Sequence, residues 1–80
     1  MMGKLPKVGK VEIKVRGLDH LPPHFHVITP EGECLVEIAT LTILAGDLPK
    51  RAAWTIEWAA ENRGVLIAEW NRRNPQYPIE

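Results

Sequence analysis

All three histidines of this 80-residue chain lie within seven residues, at positions 20, 24 and 26. His24 and His26 are two positions apart, so on a β-strand their side chains project from the same face. Two imidazoles at that spacing can bind one metal ion, or one of them can act as a general acid–base group. Asp19, directly before the first histidine, belongs to the same constellation. The cluster is therefore a candidate site.

Three interpretations of the histidine cluster stay open at this stage. A metal site would use the three imidazoles with Glu37 as a further ligand, whereas an acid–base site would use His24 or His26 with Glu37 orienting the ring. In the third interpretation the histidines belong to a binding surface or a plain solvated surface. A single His-x-His is a weak metal signal, so we assign no metal and no cofactor. The candidate binding residues are Asp19, His20, His24, His26 and Glu37.

Covalent catalysis is disfavoured by the residue types present. The chain contains no serine, and its single cysteine, Cys34, falls on the apolar face of the hairpin described next. A thiol in that position is expected to be a small core group. Phosphate-binding glycine loops and dinucleotide fingerprints are also missing.

The histidines lie on the first strand of a predicted β-hairpin. Strands at residues 24–28 and 33–38 flank the turn at residues 29–32, and pairing Thr29 with Gly32 sets the register. That register places His24 opposite Glu37 and His26 opposite Leu35. The apolar residues of the hairpin then share the other face, so we expect the imidazoles to face solvent and Phe25, Val27, Cys34 and Val36 to face the core.

Further elements flank this hairpin. Apolar and charged residues alternate at residues 10–16, which predicts a strand before the hairpin. Residues 42–45 predict a short strand after it. A helix is predicted from Pro49, capped by Asp47 or Leu48, to about Arg63, and a second from about Val65 to Arg73. We expect Trp70 in the core, and we expect Trp54 and Trp58 either to be covered by the second helix or to form an exposed pair. The core stripe predicted on the first helix comprises Ala52, Ala53, Ile56, Ala59 and Ala60.

These elements predict an α+β fold, with an antiparallel sheet of three to four strands followed by two helices packed on one face. Eighty residues form one small domain, and residues 1–9 and 75–80 are expected to be flexible. Ten Lys and Arg against ten Asp and Glu give zero net charge. Nucleic acid contact is therefore expected only through the local basic strip of residues 1–20, where five basic residues exceed two acidic ones.

Compartment and membrane contact follow from the same composition. A single cysteine cannot form an internal disulfide, which favours a reducing compartment. The N-terminal residues alternate and contain no apolar signal-peptide segment. The most apolar stretch, residues 34–46, is shorter than the ~20 residues of a membrane span. We therefore expect a cytoplasmic protein that does not contact membranes.

Residues 19–27, with the sequence DHLPPHFHV, resemble the hallmark of the domain-of-unknown-function 4160 family of small bacterial proteins. That hallmark reads Asp/Glu-His-x-Pro-Pro-His-Phe-His-Val. The resemblance nominates, without assigning them roles, Asp19, His20, Pro22, Pro23, His24, Phe25 and His26. It extends through Glu37, Leu41, residues 46–49, Lys50, Arg51 and Trp70.

The resemblance implies a functional context rather than a mechanism. Members of the family look like partners in compact two-gene units with a toxin–antitoxin-like arrangement. We therefore expect a protein-binding module whose partner is a small co-encoded protein. The alternatives are a toxin-like RNA-cleaving enzyme, with His24 or His26 as acid–base group and Lys14 or Arg16 near phosphate, and a metal-binding protein.

Overall fold

The computed structural model describes residues 5–79. Five antiparallel strands form one sheet in the order β1-β2-β3-β4-β5, so each strand pairs with its neighbour in sequence. A 3₁₀ turn at Lys50–Ala52 leads into two helices, α1 (Trp54–Glu61) and α2 (Arg63–Arg73). The strands are β1 (Lys7–Val8), β2 (Val11–Lys14), β3 (His24–Thr29), β4 (Gly32–Glu37) and β5 (Ile43–Ala45).

The α+β class is confirmed, but the predicted count of three to four strands is too low. The additional strand is β1, which pairs with β2 through Lys7 opposite Glu12 and Val8 opposite Val11. Two residues are too few to show the alternation from which strands are predicted. This strand falls in the segment expected to be flexible; residues 1–4 and 80 lie outside the described residues.

The register of the β3–β4 hairpin is confirmed at each predicted pair. Thr29 lies opposite Gly32 and His24 lies opposite Glu37, with Phe25–Val36, His26–Leu35 and Val27–Cys34 between them. At the turn, the Thr29 hydroxyl donates to the Gly32 carbonyl at 3.2 Å and accepts from the Glu31 N–H at 3.2 Å. A side chain that bonds its own turn in this way stabilises the two-residue connection.

The prediction that the histidines of β3 face solvent is wrong. His24 is 1% exposed and His26 is 8% exposed, while Phe25 and Val27 between and beside them are fully buried. Successive residues of a strand point to opposite faces, so β3 is covered on both faces. The alternating pattern placed the histidines on the correct face but could not show that other parts of the chain cover it.

The helical region starts later and breaks earlier than predicted. Residues 50–52 form a 3₁₀ turn without a side-chain cap, so neither Asp47 nor Leu48 caps it. The first helix ends at Glu61 instead of Arg63, because Asn62 leaves helical geometry with φ −128° and ψ 31°. The Asn62 side chain donates to the Trp58 carbonyl at 2.9 Å, which is the competition with helical bonding typical of asparagine.

The buried stripe of this region differs from the predicted one. Ala52, Thr55 and Ala59 are fully buried, whereas Ala53 and Ala60 are exposed. A threonine was not expected there, but its hydroxyl donates to the Ala52 carbonyl at 2.7 Å and is therefore satisfied.

The three tryptophans differ in burial. Trp70 is fully buried, as predicted. Trp54 and Trp58 are half-buried and pack against the core, so they do not form an exposed aromatic pair. Within residues 5–79, no helix has both the length and the apolar composition needed to cross a bilayer.

Candidate functional site

The loop between β2 and β3 carries Asp19 to the start of β3, and a buried asparagine holds it there. Asn74, which is fully buried at the end of α2, accepts the Asp19 N–H at 2.7 Å and donates to the Arg16 carbonyl at 2.9 Å. Both ends of the amide are thus bound to the backbone of one loop. This places the Asp19 carboxylate beside the imidazoles of β3.

Asp19 contacts both buried imidazoles through one oxygen. Its Oδ2 lies 3.0 Å from His24 Nε2 and 3.1 Å from His26 Nε2. The three atoms form a compact group whose members all lie within 4.8 Å of one another. We call Asp19, His24 and His26 the triad; its geometry can hold a metal ion.

The outer nitrogen of each triad imidazole also has a partner. His24 Nδ1 lies 2.7 Å from the Pro22 carbonyl oxygen, and His26 Nδ1 lies 3.1 Å from Glu33 Oε1. An Arg16 guanidinium nitrogen lies 3.0 Å from the same Glu33 oxygen. The two rings are therefore fixed in orientation, with Nε2 toward Asp19.

The carboxylates around the triad are stabilised in their charged form. Burial by itself would raise the pKa of Asp19, but the hydrogen bond from His26, the His20 N–H and the charges of His24 and His26 together lower it. For Glu33, the hydrogen bond from Arg16 is the main cause of a lowered pKa, with His26 adding to it against a smaller effect of burial. Both acids are therefore anionic at neutral pH.

Two of the five candidate residues take other positions. Glu37 pairs with His24 along the backbone, but its carboxylate accepts the Thr40 hydroxyl at 2.9 Å. Within the described residues, it lies within hydrogen-bond distance of none of the imidazoles. His20 lies at the rim, with its side chain 75% exposed and its ring centroid 5.1 Å from that of His24.

The carboxylate beside His26 is Glu33, which was not among the candidate residues. His26 pairs with Leu35 of β4, and Glu33 lies two positions before Leu35 on the same strand, so Glu33 is the diagonal neighbour of His26. Side chains at that diagonal can touch, so the register contained this signal. Asn74 had no comparable signal, since its contact with Asp19 spans 55 residues.

The acid–base arrangement expected for RNA cleavage is not assembled. Glu37 does not orient either imidazole, and Arg16 is engaged by Glu33. Within the basic strip, Glu12 lies opposite Lys7 along the sheet. Lys14, opposite His26, is the exposed basic residue nearest in register to the triad.

An apolar groove of about 700 Å³ is lined in part by residues of the same loop. Four parts of the chain form its walls: the loop before β3, the residues after β4, helix α2 and the C-terminal tail. Among the lining residues, Leu21 is 52% exposed and Tyr77 is 43% exposed. The lining residues are Leu21, Pro23, Ile38, Ala39, Arg63, Ile67 and residues 76–79.

The C-terminal wall of the groove is anchored by residues of α2. Asn71 binds Ile79 at both backbone groups, accepting its N–H at 2.6 Å and donating to its carbonyl at 2.9 Å. Trp70 Nε1 donates to the Tyr77 carbonyl at 2.7 Å. Between α2 and β4, Arg63 Nε donates to the Ile38 carbonyl at 2.9 Å. The groove is therefore a preformed part of the fold.

A comparison with known protein families finds a match, and the matched segment contains the triad. The family model described as domain of unknown function (DUF4160) matches residues 13–71, which include β3, β4, α1, most of α2 and all three triad residues. No curated protein and no solved structure matches the chain. By the family match, the chain belongs to the DUF4160 family.

Proposed function

We propose that this protein is a protein-binding module that uses the apolar groove as its docking surface. Its partner is a small co-encoded protein in a toxin–antitoxin-like two-gene unit. The observation that carries the proposal is the groove, because a well-formed apolar concavity is where a protein most often binds a ligand or a partner's side chains.

The chemistry of the groove supports a protein segment as its occupant. Its walls are apolar apart from Arg63 and Gln76, and aliphatic and aromatic side chains such as Ile67 and Tyr77 are those that pack against a partner's apolar anchors. The formal net charge of the chain is zero, which supplies no long-range attraction for a polyanion. Apolar burial is thus the main available source of affinity.

The size of the groove limits what it can bind. A volume of about 700 Å³ falls within the ~300–1,000 Å³ of ordinary ligand sites. It accommodates a few large side chains of a partner rather than a whole domain face. We therefore expect a short apolar segment of the partner to enter the groove, with additional contacts around the rim.

Binding to the protein of the neighbouring gene tests the proposal. The two proteins are mixed at micromolar concentration and their affinity is measured by titration calorimetry. Leu21→Glu places a charge on the groove wall and is expected to weaken binding at least tenfold, because an unpaired charge is costly to desolvate.

Leu44→Glu is the matched control. Leu44 is 41% exposed on β5 and does not line the groove. Since each leucine is about half exposed to solvent, neither change should unfold the protein, and far-UV circular dichroism checks this. Absence of binding by the parent protein, or equal loss in the two variants, would contradict a role for the groove.

A further inference from the structure

We propose that the triad is a binding site for a divalent transition-metal ion of the zinc class, with Asp19 Oδ2, His24 Nε2 and His26 Nε2 as ligands. This site is separate from the groove and does not depend on partner binding. It also differs from the metal site considered from the sequence, because Asp19 takes the place of Glu37 and His20 is not a ligand.

The proton on His24 can be located from its partner. A carbonyl oxygen only accepts hydrogen bonds, so His24 Nδ1, 2.7 Å from the Pro22 oxygen, carries the hydrogen. In the neutral ring, Nε2 then has a lone pair. That atom belongs to a side chain with 0% exposure and has no hydrogen-bond partner.

The contact of His24 Nε2 with Asp19 is close but is not a hydrogen bond. The atoms are 3.0 Å apart, which is ion-pair distance, yet their geometry does not meet the requirements of a hydrogen bond. A lone pair beside an anionic oxygen is unfavourable unless a proton on Nε2 or a metal ion lies between the two atoms, and the lack of hydrogen-bond geometry favours the metal ion. Ligand atoms around a metal ion have this relation, since their lone pairs point at the ion rather than at each other.

On the same face of β3, His26 Nε2 donates a hydrogen bond to Asp19 Oδ2 at 3.1 Å. A metal ion bound by the triad takes the place of that proton, and the ring then keeps its Nδ1 hydrogen, which faces Glu33 Oε1 at 3.1 Å. Histidine ligands typically donate their outer N–H to a carboxylate or a backbone carbonyl, which fixes the tautomer and strengthens the ligand. Here Glu33 and Pro22 provide one partner of each kind.

The spacing of the ligand atoms suits a small ion. Ligands at ~2.0–2.2 Å from a tetrahedral zinc ion lie about 3.3–3.6 Å from one another. The two distances to Asp19 Oδ2 are 3.0 and 3.1 Å, so a shift of a few tenths of an ångström opens the group. Two imidazoles and one carboxylate favour zinc and its neighbours over calcium or magnesium, which prefer all-oxygen ligands.

Zinc titration of the full chain at pH 7 tests the site, with the affinity measured by competition against a chromophoric chelator. We expect one ion per chain for the parent protein. Asp19→Asn removes the charged ligand and is expected to abolish this binding. Glu33→Gln leaves all three ligands and is expected to weaken it roughly 10- to 100-fold, as loss of an outer partner does.

Glu37→Gln is the control, because its carboxylate contacts Thr40 instead of the triad; its affinity should equal that of the parent. Nitrogen-15 NMR of the imidazoles should show zinc-dependent shifts at Nε2 of His24 and His26. Absence of binding to the folded parent at millimolar zinc, shifts confined to the exposed His20, or a folded Asp19→Asn variant that binds equally would overturn the proposal. If Asp19→Asn does not fold, an unchanged affinity of Glu33→Gln overturns it.

Discussion

Asn74 contacts none of the triad's metal-ligating atoms, yet we expect its removal to disturb the triad strongly. Asn74→Ala deletes a fully buried amide that binds the Asp19 N–H at 2.7 Å and the Arg16 carbonyl at 2.9 Å. Each such bond contributes ~0.5–1.5 kcal/mol net, and a backbone group left buried and unpaired costs more. We therefore expect a loss of about 2–3 kcal/mol in the free energy of unfolding.

That loss is large for a domain of this size. At ~0.05–0.15 kcal/mol per residue, a chain of 80 residues has a total stability of about 4–12 kcal/mol. Urea denaturation monitored by tryptophan fluorescence measures the change. Because the loop that carries Asp19 loses its anchor, zinc affinity is expected to fall at least tenfold in the same variant, even though all three ligands remain.

Asn71→Ala provides the comparison on the same helix. Asn71 binds both backbone groups of Ile79, so its removal should loosen the groove wall and weaken partner binding while leaving zinc affinity unchanged. Neutral surface substitutions change the free energy of unfolding by no more than ~0.5 kcal/mol. A change of that size or smaller in Asn74→Ala would refute this account of the loop. Equal zinc affinities of that variant and the parent would refute the coupling to the triad.

Three further predictions concern the rest of the fold. Gly46→Ala places a Cβ 2.2 Å from the Glu33 carbonyl oxygen at a φ of +79° and should cost at least ~2 kcal/mol in urea denaturation; Gly9→Ala, at φ +60° with nothing within 4 Å, should cost only the ~1–2 kcal/mol of a left-handed residue. Arg72, and to a lesser degree Arg73, lowers the pKa of Glu69 against the opposing effect of burial. The ionised Glu69 therefore stabilises the fold above the ordinary carboxyl pKa, and this stabilisation is lost as pH falls through the lowered pKa. Glu69→Gln should reduce stability at pH 7 and make little difference at pH 2. Burial, together with the charge of Asp47, raises the pKa of Cys34, so a thiol reagent should react with it only at the rate of unfolding, and rapid labelling of the native protein would contradict this placement.

The central hairpin could be predicted in detail because several local signals agreed. The two-residue turn fixed which residues pair, and alternation separated Phe25 and Val27 from His24 and His26. Neither signal reports on what covers each face. The Trp70 ring lies 5.6 Å from that of His24, a contact between residues 46 positions apart that only the folded chain shows.

The sequence could predict only some of the residues that form the site. Asp19, His24 and His26 are close in sequence, and the structure brings all three together. Glu37 was inferred from backbone pairing, but its side chain turns to the nearby Thr40. Glu33, on the diagonal, makes the contact instead. Backbone register identifies the neighbours that a side chain can reach, and the competing local partners decide which one it contacts.

The groove was invisible to sequence patterns because its walls come from four separate parts of the chain. An exposed pair of Trp54 and Trp58 was one of two alternatives drawn from the sequence, and both side chains are half-buried and pack against the core. Tyr77 and its neighbours lie in a tail expected to be flexible. Their anchoring depends on hydrogen bonds from Trp70 and Asn71, which periodicity cannot reveal.

The most direct test of partner docking is a titration of the nitrogen-15-labelled chain with the protein of the neighbouring gene, followed by amide chemical shifts. The account predicts saturable shifts concentrated at residues that line the groove, including Leu21, Ile67 and Tyr77. Absence of shifts at saturating partner concentration, or shifts centred on β5 around Leu44, would contradict it.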